Sequence, residues 1–267
     1  MTSVLQERQD ATEGATAAVE NALQMAMRHI VEAIYGPPVR RLPGLDIGRA
    51  YRGATTESRY GGDMVDVFRY GDGCTSLAVV DISGHGIRAA TNAGLAKHAL
   101  RAYASQGLDA RQSVRRLNRL CIENSAFEGD EEFFATVFFA IVDADLMSMQ
   151  YVSAGHEAAY IITPGGTQPL PATGPIIGLM DDDSAFEHGV VRLSAGSILA
   201  AATDGFSEAR NAAREFLGAD ALVSVIERSR QWEAERQAEA ITLHAYEYAA
   251  QQLHDDVAAL VVKVAQR

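Results

Sequence analysis

Residues 133–143 read FFATVFFAIVD, an almost unbroken apolar run closed by an aspartate. A strand with one face in water alternates apolar and polar side chains, so a continuous run needs cover on both faces. A single solvent-exposed sheet cannot accommodate it. The other apolar runs are short and rich in β-formers: LDIGRAY from Leu45, MVDVFRY from Met64, TSLAVVDI from Thr75, MSMQYVS from Met147, AAYIIT from Ala158, FEHGVVRL from Phe186, SILAAAT from Ser197 and VAALVVKV from Val257. Glycine-rich turns such as Gly71–Gly73 separate them.

Helical patterns fall between these runs without alternating with them. Ile87, Ala90, Gly94, Leu95, Ala99 and Ala102 share one helical face. A second helix is predicted from Asp109, a good N-cap, presenting Val114, Leu117 and Cys121 inward and Arg115, Arg116 and Arg119 to solvent. A long helical region is predicted from about Phe216 to Leu253, with Ala238, Ile241, Ala245 and Tyr248 on one face. Strands in runs around an inserted helical pair exclude a doubly wound parallel sheet. They predict an α+β fold with two packed antiparallel sheets flanked by helices.

The N-terminal stretch is different. Thr12–Tyr35 reads as one helix whose Val19, Leu23, Ala26, Ile30 and Ala33 form a stripe, stopped by Gly36-Pro37-Pro38. Residues 1–38 are therefore expected to be a helical extension, a regulatory or homodimerising segment, and 39–267 the main domain. The formal net charge of −12 repels a phosphate backbone and argues against nucleic-acid binding. No apolar run is long enough to cross a bilayer, and the charged start MTSVLQERQD does not read as a signal peptide, so a cytoplasmic protein is expected. Cys74 and Cys121 lie in no metal-binding spacing and read as reduced thiols.

The chemistry is carried by aspartates in one recurring setting. Asp63 closes GGD, Asp81 leaves an apolar strand into DISGHG, Asp204 leaves another into TDG, and Asp255 precedes the last strand. Each stands at a strand edge beside glycine or a second carboxylate, where hard oxygen ligands are presented rigidly. One such aspartate is an ordinary turn former. Four in the same setting suggest a divalent cation that offsets their repulsion. Without a cysteine or histidine cluster, Mg2+ or Mn2+ is favoured over zinc.

Seven motifs carry a resemblance: GGDMVD (61–66), DISGHG (81–86), FFATVFFAIVD (133–143), YVSAGHE (151–157), TGPIIGL (173–179), ATDGFSEAR (202–210) and DDVAALVV (255–262). In this order they resemble the bacterial SpoIIE-like branch of the PPM metal-dependent protein serine/threonine phosphatases. The resemblance implies an αββα sandwich with a two-metal centre at one edge. It implies that Asp81 bridges the ions, that the Ile82 carbonyl completes one shell, that Asp204 and Asp255 hold one ion, and that Asp63 serves the site from the other side. Asp256 is the alternative to Asp255. The implied substrate is a phosphorylated regulatory protein such as an anti-sigma-factor antagonist. A non-catalytic binding module and a hydrolase of small phosphoesters stand as alternatives.

The sequence departs from the family pattern after GGD, where Met64 and Val65 replace aromatic residues. Arg59 lies near the place of a phosphate-gripping arginine but reads first as a surface residue. His85 and His156 read as structural or orienting groups ahead of general acids, and His254 as a turn residue. Acidic stretches 128–132 and 181–183 are expected to be solvated loops.

Overall fold

The structure, a computed structural model, describes residues 41–54, 61–71, 73–84, 86–128, 133–143, 147–157 and 159–265. The expected N-terminal helix, Arg59, His85 and most of the 128–132 stretch lie outside the described residues.

Among the described residues, eleven strands build two antiparallel sheets. They are β1 (Arg41–Leu42), β2 (Leu45–Arg52), β3 (Met64–Tyr70), β4 (Cys74–Ile82), β5 (Ala135–Asp143), β6 (Ser148–Ala154), β7 (Ala159–Thr163), β8 (Gly166–Leu170), β9 (Gly189–Arg192), β10 (Ile198–Ala202) and β11 (Val257–Val264). One sheet has the order β1-β2-β11-β10-β7-β8, the other β3-β4-β5-β6-β9. The helices are α1 (Gly86–Ser105), α2 (Ala110–Glu128), α3 (Asp204–Ser207), α4 (Asp220–Arg228) and α5 (Ala234–Tyr248). The α1–α2 pair covers the outer face of the β3-to-β9 sheet, and α4 with α5 covers the other. The layers are α, β, β, α, as the sequence predicts.

Period-two geometry explains the continuous apolar runs. Phe138, Ala140 and Val142 of β5 join the core between the sheets, where they meet Leu260 and Val262 of β11. The intervening Phe139 of β5 is equally buried but faces the other way, and Val257, Ala259 and Val261 of β11 pack on the helices. Both strands are central in their sheets and have no wet face. Burying a phenylalanine at such a position contributes roughly 1.5–3 kcal/mol.

Three element readings change. The region 216–253 is two helices, because the chain turns through 229–233 and α5 restarts at Ala234, whose N–H donates to Asp46 Oδ2 at 3.0 Å. The buried face of α1 is Ala89, Ala90, Ala93, Ala96, Lys97, Leu100 and Ala104, whereas Ile87 and Ala102 are exposed. Small alanines allow the helix to approach the sheet closely, and following its larger aliphatics misplaced the face. The run from Phe186 pairs only over Gly189–Arg192, and β8 is an additional edge strand whose Pro169 suits an edge. The start of α2 agrees with the sequence: Asp109 Oδ1 accepts the Gln112 N–H at 2.7 Å, and Gln112 Oε1 accepts the Asp109 N–H at 3.1 Å, a reciprocal cap.

Candidate metal centre

Strand register gathers the aspartates. Met64 pairs with Val80, so Asp63 stands opposite Asp81 one step further along; Asp81 itself pairs with Thr136 of β5. In the other sheet Ala202 pairs with Ala259, placing Thr203 against Ala258, and the bond from Thr203 N to Ala258 O is 3.0 Å. Asp204 follows β10 after Thr203, and Asp255 precedes β11 with Asp256 between them. The ends of four strands, two from each sheet, thus meet at one edge of the sandwich.

The carboxylates are graded in depth. Asp63 is 4% exposed, Asp81 and Asp204 are half-buried, and Asp255 is exposed. Burial raises the Asp63 carboxyl well above its usual range, and Asp81 adds to the rise. Burial also raises Asp81, with Asp255 contributing. The Asp63 and Asp81 carboxyls act directly on each other, as their position opposite one another across the β3–β4 pair requires. Asp204 is pushed up to about 7, first by burial and then by Asp81, Asp255, Glu208 and Glu157. Among the described residues, the charges that act on Asp81 and Asp204 are negative.

Such an arrangement suits a hard divalent cation, which would offset the repulsion. Among the described residues no three carboxylate, imidazole or thiol groups close into a finished coordination shell. The donors form an open set around the edge. All are oxygens, in keeping with Mg2+ or Mn2+.

Several of the contacts that hold this set were not evident from the sequence. Thr203 Oγ1 donates to Asp63 Oδ2 at 2.6 Å and accepts the Ala258 N–H at 2.9 Å, tying the deepest carboxylate to the opposite sheet. Asp256 is buried, with Oδ2 accepting the Tyr51 hydroxyl at 2.7 Å and Oδ1 the Ala54 N–H at 2.7 Å. Asp255 Oδ1 accepts the neighbouring Asp256 N–H, at 2.8 Å. The adjacent carboxylates therefore divide, one turned into the protein and one to the rim. The glycines of GGD serve packing. A Cβ at Gly61 would lie 1.5 Å from Asp256 Oδ2, and one at Gly62 would lie 2.2 Å from the Ile82 carbonyl oxygen. That carbonyl is at the site edge, and Ile82 N donates back to Gly62 O at 3.3 Å.

His156 is 6% exposed beneath the cluster, with Nδ1 3.1 Å from the Thr136 hydroxyl. Its Nε2 forms no well-aligned hydrogen bond. Burial lowers its pKa to about 4, and the Ala202 backbone offsets only part of that. A neutral imidazole at this depth fits an orienting role better than proton donation. His254 is exposed.

The acidic 181–183 loop is anchored to α2. Asp183 pairs with Arg119 at 3.0 Å, and the Asp182 side chain caps the short 3-10 turn 183–185 through Ser184. Arg115 donates to the Phe186 carbonyl at 3.2 Å, so part of the expected solvated arginine face fastens this loop. Outside the edge cluster, Arg101 forms a two-pronged ion pair with buried Asp66 at 2.7 and 2.6 Å, beside buried Lys97.

Comparison with known proteins follows this geometry. The chain is 25% identical to phosphoserine phosphatase RsbU of Bacillus subtilis over 237 residues, covering 88% of this chain and 68% of RsbU. It is 28% identical over 189 residues to Protein IcfG of Synechocystis, covering 62% of this chain but only 30% of IcfG. The SiaA PP2C domain of Pseudomonas aeruginosa superposes with a TM-score of 0.72 at 20% identity, covering 93% of this chain and 98% of that domain. The model of the family described as Stage II sporulation protein E (SpoIIE) matches residues 71–265, from the turn before β4 to the end of β11. By that match the chain belongs to the SpoIIE family.

Proposed function

We propose that this protein is a metal-dependent protein phosphatase that hydrolyses phosphoserine or phosphothreonine on a regulatory protein. The observation that carries the reading is the meeting of Asp63, Asp81, Asp204 and Asp255 at one sandwich edge, where, among the described residues, the charges acting on Asp81 and Asp204 are negative. Asp81 and the Ile82 carbonyl, with Asp204, Asp255 and Asp63, would hold two Mn2+ or Mg2+ ions. When bound, such ions acidify water and neutralise charge on phosphoryl oxygens. Asp81 lies where the two sheets' contributions meet, close enough to Asp255 and Asp204 of the other sheet for their charges to act on one another. Thr203 keeps the Asp63 carboxylate oriented through its short hydrogen bond. Neutral His156 supports Thr136, the cross-strand neighbour of Asp81. Water attacks phosphorus in line, the bond to the serine or threonine oxygen breaks, and phosphate and the free hydroxyl leave. No side chain becomes phosphorylated.

The name of RsbU supports a phosphoserine substrate, and the family resemblance supports an anti-sigma-factor antagonist as the phosphoprotein. All four aspartates are present, which counts against a binding module without turnover. The stripe Val19, Leu23, Ala26, Ile30 and Ala33 supports homodimerisation through the N-terminal segment. No described helix is long and apolar enough to cross a membrane.

Phosphate release from a phosphoserine protein or peptide, with Mn2+ and then with excess chelator, tests the activity. Release is expected only with metal. Full release in chelator refutes metal dependence, and faster turnover of nucleotides than of the phosphoprotein moves the assignment to small phosphoesters.

A further inference from the structure

Asp256 adjoins the proposed ligand Asp255, yet its contacts lead away from the cluster's open side. Oδ1 accepts the Ala54 N–H and Oδ2 the Tyr51 hydroxyl, each at 2.7 Å. The Tyr51 oxygen then accepts the Gly61 N–H at 3.1 Å. One carboxylate therefore holds Ala54 directly and Gly61 through Tyr51. Gly61 begins the turn that ends in Asp63.

Two close approaches strengthen this arrangement. The carboxylate lies so near Gly61 that a Cβ there would be 1.5 Å from Oδ2. The backbone oxygen of Asp256 would lie 2.0 Å from a Cβ at Gly205, the residue after Asp204. Asp256 thus touches the segment after β2, the turn carrying Asp63 and the turn carrying Asp204. These three pieces come from distant parts of the sequence.

We infer that Asp256 is a positioning residue that, through Tyr51, sets the Gly61–Asp63 turn against the Asp204 turn, and does not itself ligate metal. The inference rests on the proposed metal centre for its consequence, though not for its geometry. Tyr51 is the relay: its hydroxyl donates to the carboxylate and accepts from the backbone, and phenylalanine can do neither. Groups that orient metal ligands typically change metal affinity by about 10–100-fold when removed.

The test uses the full-length chain and measures two quantities other than turnover. Residue-resolved amide exchange is recorded in chelator, and Mn2+ binding is measured by calorimetry, for the parent, Tyr51→Phe, Asp256→Asn and Asp256→Ala. Tyr51→Phe is expected to speed exchange at Gly61 by about tenfold, and Asp256→Ala at both Gly61 and Ala54, with β11 amides unchanged. Mn2+ binding should weaken about tenfold in each, with the number of bound ions preserved. Asp256→Asn, which keeps one carbonyl oxygen to accept from Ala54, should fall between parent and alanine. Should Asp256→Ala fail to fold, Tyr51→Phe and Asp256→Asn carry the test. Loss of one bound ion with Gly61 exchange unchanged makes Asp256 a ligand and overturns the inference. Faster exchange with Mn2+ affinity unchanged reduces the contact to packing and overturns it equally. If the parent binds no Mn2+, the metal centre itself fails, and that is seen before any variant is compared.

Discussion

At the scale of single residues, the edge cluster spends stability to keep carboxylates together. Asp204 has a folded pKa of about 7, against about 4 for a free aspartate. In metal-free protein the folded state therefore holds this proton more tightly than the unfolded chain does. The resulting stability is complete below about pH 4 and is lost as pH rises toward 7. Asp204→Asn removes that dependence. At pH 8, in chelator, the variant should melt about 2–4 °C above the parent, for roughly 1 kcal/mol after allowing for solvent screening at a half-buried group. The difference should shrink at pH 5, and a constant difference at both pH values contradicts the assignment. With saturating Mn2+ the same variant, and Asp81→Asn, should lose turnover by at least about a hundredfold while staying folded. Near-parent rates in both would remove these aspartates from the metal centre. Thr203→Val leaves the buried Asp63 oxygen and the Ala258 N–H without their shared partner. A cost of about 1–3 kcal/mol is expected, read as a lower denaturant midpoint at unchanged slope.

At the scale of elements, α1 follows the DISGHG turn and β3 follows GGD, so both begin at the site. They are fastened to each other by Arg101 and Asp66, beside Lys97, with Arg101 also over the Phe68 ring at 4.9 Å. Burial lowers the Lys97 pKa, with Asp66 acting in opposition. Removing one partner from such a pair leaves a charge in a poorly solvated place. Arg101→Leu is expected to destabilise by about 2–3 kcal/mol, discounted because the arginine is 28% exposed. Arg101→Lys should recover only part of this, since an ammonium lacks the two-pronged geometry. Equal melting temperatures for Arg101→Leu and the parent would show that the pair contributes nothing to holding α1. In the sequence Asp66 is only the end of GGDMVD and Lys97 and Arg101 are two cations on a helix. The pairing spans 35 residues, and periodicity carries no information about partners at that distance.

At the scale of the whole molecule, two sheets contribute separate strand ends to the proposed cation site, so binding should stiffen the sandwich as a unit. Mn2+ at about a hundred times its dissociation constant should stabilise by about 2.7 kcal/mol, raising the melting temperature by roughly 5–10 °C, reversibly on chelation. An unchanged melt beside measurable Mn2+ binding would mean that the site forms equally well in the unfolded chain, which this assembly from distant segments contradicts. The sequence by itself determined the layered α+β architecture. Runs such as 133–143 and 257–264 are apolar at both parities, and only strands covered on both faces satisfy that. It also singled out Asp63, Asp81, Asp204 and Asp255 as candidate ligands, because a carboxylate at the end of an apolar strand, beside glycine or a second carboxylate, is a local pattern. Tertiary structure alone decided the rest. It broke the 216–253 region at 229–233, where Asp46 from the far end of the domain meets the start of α5. It turned Asp256 inward and left Asp255 at the rim, two identical neighbours separated only by the arrival of Tyr51 and Ala54. Local composition records which face must be buried, whereas hydrogen-bond partners more than two hundred residues apart are chosen by strand register, which no short window of sequence contains.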